Sequence, residues 1–158
     1  MSLAPEIKQV IAVDPGEKHV GIAVFKRQGR GWVINRLLVL EAQEALSWLE
    51  MRVPHCDALI IEEYRIFPGA QNTWSTGPTI EMIGVLKRVA YKAHVPVHMV
   101  KSATKAAARG LMRARGVMLQ KADGVEAALQ NHGEDAQGHG WRWLFKQGEG
   151  PFHTAAGT

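Results

Sequence analysis

Residues 58–62, Ala-Leu-Ile-Ile-Glu, are an apolar run that stops on an acid. A run without polar alternation reads as a strand covered on both faces. An earlier run, "QVIAVD" at residues 9–14, also ends on an acid, Asp14, and is followed by Pro-Gly. Two buried strands that each end on a carboxylate set the frame for the rest of the chain.

The segments around them complete an α/β pattern. "HVGIAVFKR" reads as a second strand and "WVINRLLVL" as a third, joined by the "RQGRG" turn as a hairpin. Three strands with short turns make an antiparallel meander. "EAQEALSWLEMRV" has helical spacing and is stopped by Pro54. "CDALIIE" is the fourth strand. "YRIFPGAQNTWSTGP" reads as loop, after which Thr76 is a candidate cap for a helix through His94 with Pro78 in its first turn. "VPVHMVK" is a fifth strand. "SATKAAARGLMRARG" starts with Ser102 as a candidate N-cap and breaks near Gly110 and Gly116, and "LQKADGVEAALQNH" is a short helical region. "GEDAQGHGWRWLFKQ" is a final helix. The expectation is a mixed five-stranded sheet, an antiparallel three-strand meander plus two parallel strands, flanked by helices. One domain would span residues 1–147, with 148–158 as a mobile small-residue tail.

Composition narrows the class. At 158 residues the chain reads as one domain with a real core. It shows no apolar stretch near the ~20 residues of a membrane span and no apolar leader after "MSLAPEIKQ". The single cysteine, Cys56, excludes an internal disulfide and a Cys-rich zinc site, and an intracellular, reducing location fits. From Met82 to Ala122 there is no Asp or Glu among nine Lys and Arg, whereas the remainder holds ten basic and all fifteen acidic residues. A one-sided basic segment points to a polyanion such as nucleic acid, with solvated helix faces as the alternative.

Three acidic positions have related placement. Asp14 ends the first strand and Glu62 the fourth. Asp135 lies in the final helix three residues after His132, so the two share a face. If strands one and four are neighbours, Asp14 and Glu62 emerge together, and the helix can lay His132 and Asp135 against them. Clustered carboxylates need a positive partner. Oxygen donors with one imidazole suit Mg²⁺ or Mn²⁺. Two such ions about 3.5–4 Å apart serve phosphodiester cleavage, and Asp14 is best placed to bridge them.

These stretches carry a resemblance. "IAVDPGEKHVGIAVF" is similar to the first motif of the RuvC-like Holliday junction resolvases, in the RNase H-like superfamily. "ALIIEEYRIFPG" is similar to the second motif and "HGEDAQGHG" to the third, in which a His or Asp precedes the final Asp by three residues. The resemblance spans roughly Val10 to Lys146, and "EEYRIFPGAQNTWS" looks most like phage-encoded members. It implies an RNase H-like fold and a homodimeric crossover junction endodeoxyribonuclease. Such an enzyme would use Mg²⁺ or Mn²⁺, two ions per site, on four-way junction DNA. Its location would be cytoplasmic, in the host cell if phage-encoded. Asp14, Glu62, His132 and Asp135 would form the catalytic and metal-binding quartet.

Departures and neighbours need weighing. Glu63 stands beside Glu62; strand alternation aims only one of them at the site, and Glu62 is favoured because it follows the apolar run directly. Glu134 should face about 100° away from Asp135 and reads as surface. His139 lies four residues after Asp135; it lines the site, assists proton transfer, or packs, and packing or exposure is the preferred reading. Trp141 and Trp143 read as core or dimer contact. Lys18 and His19 either touch phosphate or face solvent.

The grip on DNA is expected from two segments. In the loop after Glu62, Arg65 would contact DNA and Phe67 is the leading wedge into the junction, stacking on unpaired bases. Lys101, Lys105, Arg109, Arg113 and Arg115 would hold phosphates. An RNase H-like nuclease acting on RNA or other branched DNA would carry the same motifs. A non-catalytic DNA-binding relative would be expected to have lost a quartet residue. The duplicated ATP-binding domain of actin and sugar kinases, which shares an Asp-x-Gly turn, needs a longer chain.

Overall fold

The computed structural model describes residues 3–63 and 73–153, apart from the side chains of 73–76. Five strands form one sheet: β1 (Gln9–Asp14), β2 (His19–Gln28), β3 (Gly31–Glu41), β4 (Ala58–Glu63) and β5 (Val97–Lys101). Their order is β3-β2-β1-β4-β5. β1, β2 and β3 pair antiparallel, and β4 and β5 join parallel beside β1. This is the mixed sheet expected from the meander and the two acid-ended runs. The hairpin closes over Gly29 and Arg30 between Gln28 and Gly31, with Gly29 at φ 57°, where a side chain would be strained.

Helices cover both faces, as the unbroken apolar strands require. α1 (Ala42–Arg52) and α2 (Thr73–Lys92) lie on one, α3 (Lys105–Ala114) and α4 (Gln130–Lys146) on the other. Strand alternation sorts the core. Ile11, Val13, Leu59 and Ile61 meet Leu49 of α1 and Leu86 of α2. Val10, Ala12, Ala58 and Ile60 meet Met112 of α3 and Leu144 of α4. Trp141 and Trp143 are buried in this second cluster, so of their two readings the core one holds. Cys56 is buried, and burial pushes its thiol up to about 12, which leaves it protonated at neutral pH.

Several helix boundaries differ from expectation. α2 starts at Thr73, so Thr76 does not cap it and Pro78 lies within the helix. The N-cap of α3 is Thr104 rather than Ser102: its Oγ1 accepts from the Ala107 N–H at 3.1 Å, which satisfies a free amide of the first turn. Gly110 continues α3, and the stop comes at Gly116, where φ is 76°. Only Ala127–Leu129 of the region before α4 is helical, as one 3₁₀ turn. α4 itself begins at Gln130, so His132 is in its first turn. The mobile tail expected from residue 148 is held over its first six residues. Trp32 N–H donates to the Gly150 carbonyl and Phe152 N–H to the Trp32 carbonyl. Glu149 is buried, accepts from Leu3 N–H at 2.8 Å and pairs with Arg27 at 3.4 Å. No described helix is long and apolar enough to cross a membrane.

Two glycines set how close α4 lies to the sheet. A methyl on Gly21 of β2 would land on the backbone carbonyl of His132, and one on Gly140 would enter the Phe25 ring. The glycine that follows the first Asp-Pro-Gly is therefore the seat of α4. Gly21→Ala is expected to lose about 3 kcal/mol, because the clash is with backbone that cannot yield. Gly110→Ala, with open space around its Cβ, is expected to gain up to about 1 kcal/mol of helix propensity. Urea unfolding of the two variants checks both signs.

Candidate active site

β1 and β4 run parallel in register, with Val13 opposite Ile61. The next residues, Asp14 and Glu62, therefore stand level at the same end of neighbouring strands. Both occupy even positions, so both face α4; Glu63, one residue on, faces α2 beside Ile80, Ile83 and Lys87. Strand alternation thus puts Glu62 on the α4 face with Asp14, and Glu63 on the other.

α4 brings its first turns across this edge. His132 Nδ1 lies 3.2 Å from Asp14 Oδ2. One turn further on, Asp135 is partly exposed and lies 3.3 Å from the Lys105 ammonium. A turn beyond that is His139, whose Nε2 stands 3.0 Å from Glu62 Oε2 and 3.6 Å from Asp14 Oδ1. Asp14, Glu62 and His139 each offer a donor atom within 4.8 Å of the others. Reading His139 as packing or surface is corrected here: it is 5% exposed but lies between the two strand-terminal acids. Its spacing was the available signal, since it is four residues from Asp135 and seven from His132 on one helix face.

The electrostatics follow from this crowding. Burial works to raise the Asp14 pKa, but the two imidazoles outweigh it and hold the carboxyl below its usual value. Burial works to lower the His139 pKa, and the Asp14 and Glu62 carboxylates outweigh it in turn. Asp135 is pushed up, first by burial and then by the negative charge of Asp14. The cluster is therefore short of positive charge at Asp135, where Lys105 now supplies it. Arg142 of α4 closes the far wall. Its guanidinium donates to the Lys101 carbonyl, and burial lowers its pKa against the pull of Glu62.

The basic residues expected to grip phosphate divide into groups. Lys105 and Arg109 are paired with acids of α4. Arg109 makes a two-pronged pair with Glu134, with Nη2 to Oε2 at 2.9 Å, and Lys105 lies 3.8 Å from the same carboxylate. Glu134 is thus not a free surface acid but the anchor of α3 on α4, and Arg109 holds its carboxyl below the usual range. Lys101 and Arg113 are exposed, and Arg115 lies over the Phe145 ring. Lys18 is exposed, and His19 sits with its ring centre 6.0 Å from that of His132. Arg65 and Phe67 fall outside the described residues.

Comparison with solved structures places this arrangement. The fold matches that of Thermus thermophilus RuvC in complex with Holliday junction substrate, at 18% identity and a TM-score of 0.59, covering 88% of this chain and 97% of that one. It also matches the yeast mitochondrial Holliday junction resolvase Ydc2, at 9% identity and a TM-score of 0.53, covering 90% and 82%. No family model and no curated protein sequence matches the chain. At these identities the likeness is one of architecture: the chain has a RuvC-like fold, of the RNase H-like class.

The α3–α4 anchor is testable by itself. Glu134→Gln and Arg109→Ala should each lower the midpoint of thermal unfolding, and the double variant should fall no further than the worse single one. Full additivity would show that the pair is not coupled.

Proposed function

We propose that this chain is a metal-dependent, structure-selective endonuclease that resolves four-way DNA junctions by paired phosphodiester hydrolysis. The observation that carries the reading is the convergence of Asp14 and Glu62, level on two parallel strands, with His132 and Asp135 on the helix packed against them. The same fold is shared with two junction resolvases, one described bound to a Holliday junction.

The donor set fits Mg²⁺ or Mn²⁺. Asp14, Glu62 and His139 each offer a donor atom within 4.8 Å of the others, and His132 and Asp135 stand beside them on α4. Two divalent ions, when bound, would activate a water for attack on phosphorus and stabilise the leaving oxygen. The residues have distinct tasks around that chemistry. Asp14 and Glu62 hold fixed oxygens at the strand ends. His132 orients Asp14 through its Oδ2. Asp135 offers a carboxylate from the open side, where a scissile phosphate can approach. Lys105 neutralises Asp135 in the resting protein and is free to turn toward phosphate.

Substrate grip is assigned to Arg65 and Phe67, in the stretch of sequence after Glu63, with Lys101, Lys105, Arg109, Arg113 and Arg115 on phosphates. A junction is nearly two-fold symmetric and needs two matched cuts, which a homodimer supplies. The outer side of α2 suits that contact. It exposes Ile80, Val85 and Tyr91 and borders an open groove of about 1010 Å³ shared with α1. The reading places the protein in the cytoplasm with the DNA it would process.

Asp14→Asn should abolish cleavage of synthetic four-way junctions while leaving junction binding in a gel-shift assay intact. The loss should exceed the roughly 100-fold expected for an outer partner of a ligand. Parental activity in that variant would remove Asp14 from the site. Duplex, RNA–DNA hybrid and junction substrates run side by side with Mg²⁺ or Mn²⁺ settle the substrate class.

Glu62→Gln is expected to be far more damaging than Glu63→Gln, because the two side chains leave β4 on opposite faces. Equal losses would put the site on the wrong face of the strand.

A further inference from the structure

The first motif, the Glu of β4 and the His132/Asp135 pair leave the buried His139 without a role. His139 is 5% exposed; its Nδ1 has no hydrogen-bond partner, and its Nε2 faces the two strand-terminal carboxylates. A buried polar group left unsatisfied is costly, and it calls for an explanation. Nε2 lies 3.0 Å from Glu62 Oε2 and 3.6 Å from Asp14 Oδ1, close enough for a charged contact. The distance has another meaning. Two donors at adjacent corners of an octahedral ion with bonds of about 2.1 Å stand about 3 Å apart.

Resting on the nuclease reading above, we propose that His139 is a direct metal ligand, completing a set with Asp14 and Glu62, and that this imidazole makes the site prefer a first-row transition ion over Mg²⁺. His132 then serves Asp14 from outside, since its Nδ1 is already engaged by Oδ2 at 3.2 Å. The chemistry sets the direction. Mg²⁺ dehydrates reluctantly and is bound through carboxylates and water, whereas imidazole is a good donor to transition ions. His139 is also fixed. It lies at the α4 position just before Gly140, whose missing side chain lets that turn press on Phe25.

The test uses Mn²⁺ on the DNA-free protein, with no dependence on cleavage. Pulsed electron paramagnetic resonance of bound Mn²⁺ should show coupling to an imidazole ¹⁴N, and ¹⁵N-histidine labelling should convert it to the ¹⁵N pattern. The coupling should persist in His132→Gln and vanish in His139→Gln. Calorimetry should give the parent at least a tenfold preference for Mn²⁺ over Mg²⁺. His139→Gln should lose about tenfold in Mn²⁺ affinity and little in Mg²⁺ affinity. Circular dichroism in EDTA reports whether His139→Gln folds. If it does not, His132→Gln decides alone, because loss of the nitrogen coupling there assigns the ligand to His132 and overturns the proposal. Bound Mn²⁺ without nitrogen coupling in the parent also overturns it. Junction cleavage by that same protein would leave the nuclease reading standing, and a parent that binds neither ion would sink both.

Discussion

The in-register parallel pairing of β1 with β4 is the constraint on which the rest depends. It puts Asp14 and Glu62 side by side at one edge of the sheet, where main-chain hydrogen bonding fixes their separation. Strand alternation then decides the face, and both acids point to the side that α4 covers. That cover is close because Gly21 lets the His132 carbonyl rest on β2. A one-residue slip of either strand would turn one carboxylate into the opposite core. The site is therefore built from two interior strands of the sheet and one helix seated close against it.

Such crowding of acids is unfavourable unless charge is supplied, and the neighbours supply it in layers. His132 and His139 contact the acids directly, and Lys105 sits on Asp135. Arg142 stands behind Glu62, and Arg109 holds the adjacent Glu134. α3 is thus part of the electrostatic balance of the site as well as a surface that can meet phosphate. A phosphate arriving near Lys105 competes with Asp135 for the same ammonium. On the proposed reading, releasing that carboxylate and gripping the substrate would be one exchange rather than two events.

The strands and their acids were legible in the sequence because they are apolar runs of strand length with abrupt ends. Alternation also separated Glu62 from Glu63. What was not legible depended on tertiary context. Thr104 caps α3 rather than Ser102 because only the local backbone shows which hydroxyl meets a free amide. Gly110 reads as a break by propensity, yet packing of Met112 beneath α3 carries the helix through. The start of α4 was placed too late because Gln130–His132 were read as the end of the preceding short helical region. His139 was read as packing because an imidazole on a buried helix face looks like core until the strands opposite it are known to end in acids. The tail was read as mobile from its small residues, and nothing local shows that Glu149 finds Arg27 and the Leu3 amide.

On the proposed reading, the two faces of the sheet would divide the work of a nuclease that acts in pairs. The α3–α4 face holds every candidate metal ligand, together with the cations that balance them. The α1–α2 face holds the larger aliphatic cluster and presents the exposed apolar side chains Ile80, Val85 and Tyr91. A second copy docked there would touch no ligand directly. It would still feel the site through β4, whose residues alternate between the two faces: Ile61 packs in the α1–α2 core, and Glu62 is the next residue along the backbone. Association and chemistry would then be separate in contacts but joined through a single strand, so that a dimer could set the spacing of two cuts without altering the donor set of either.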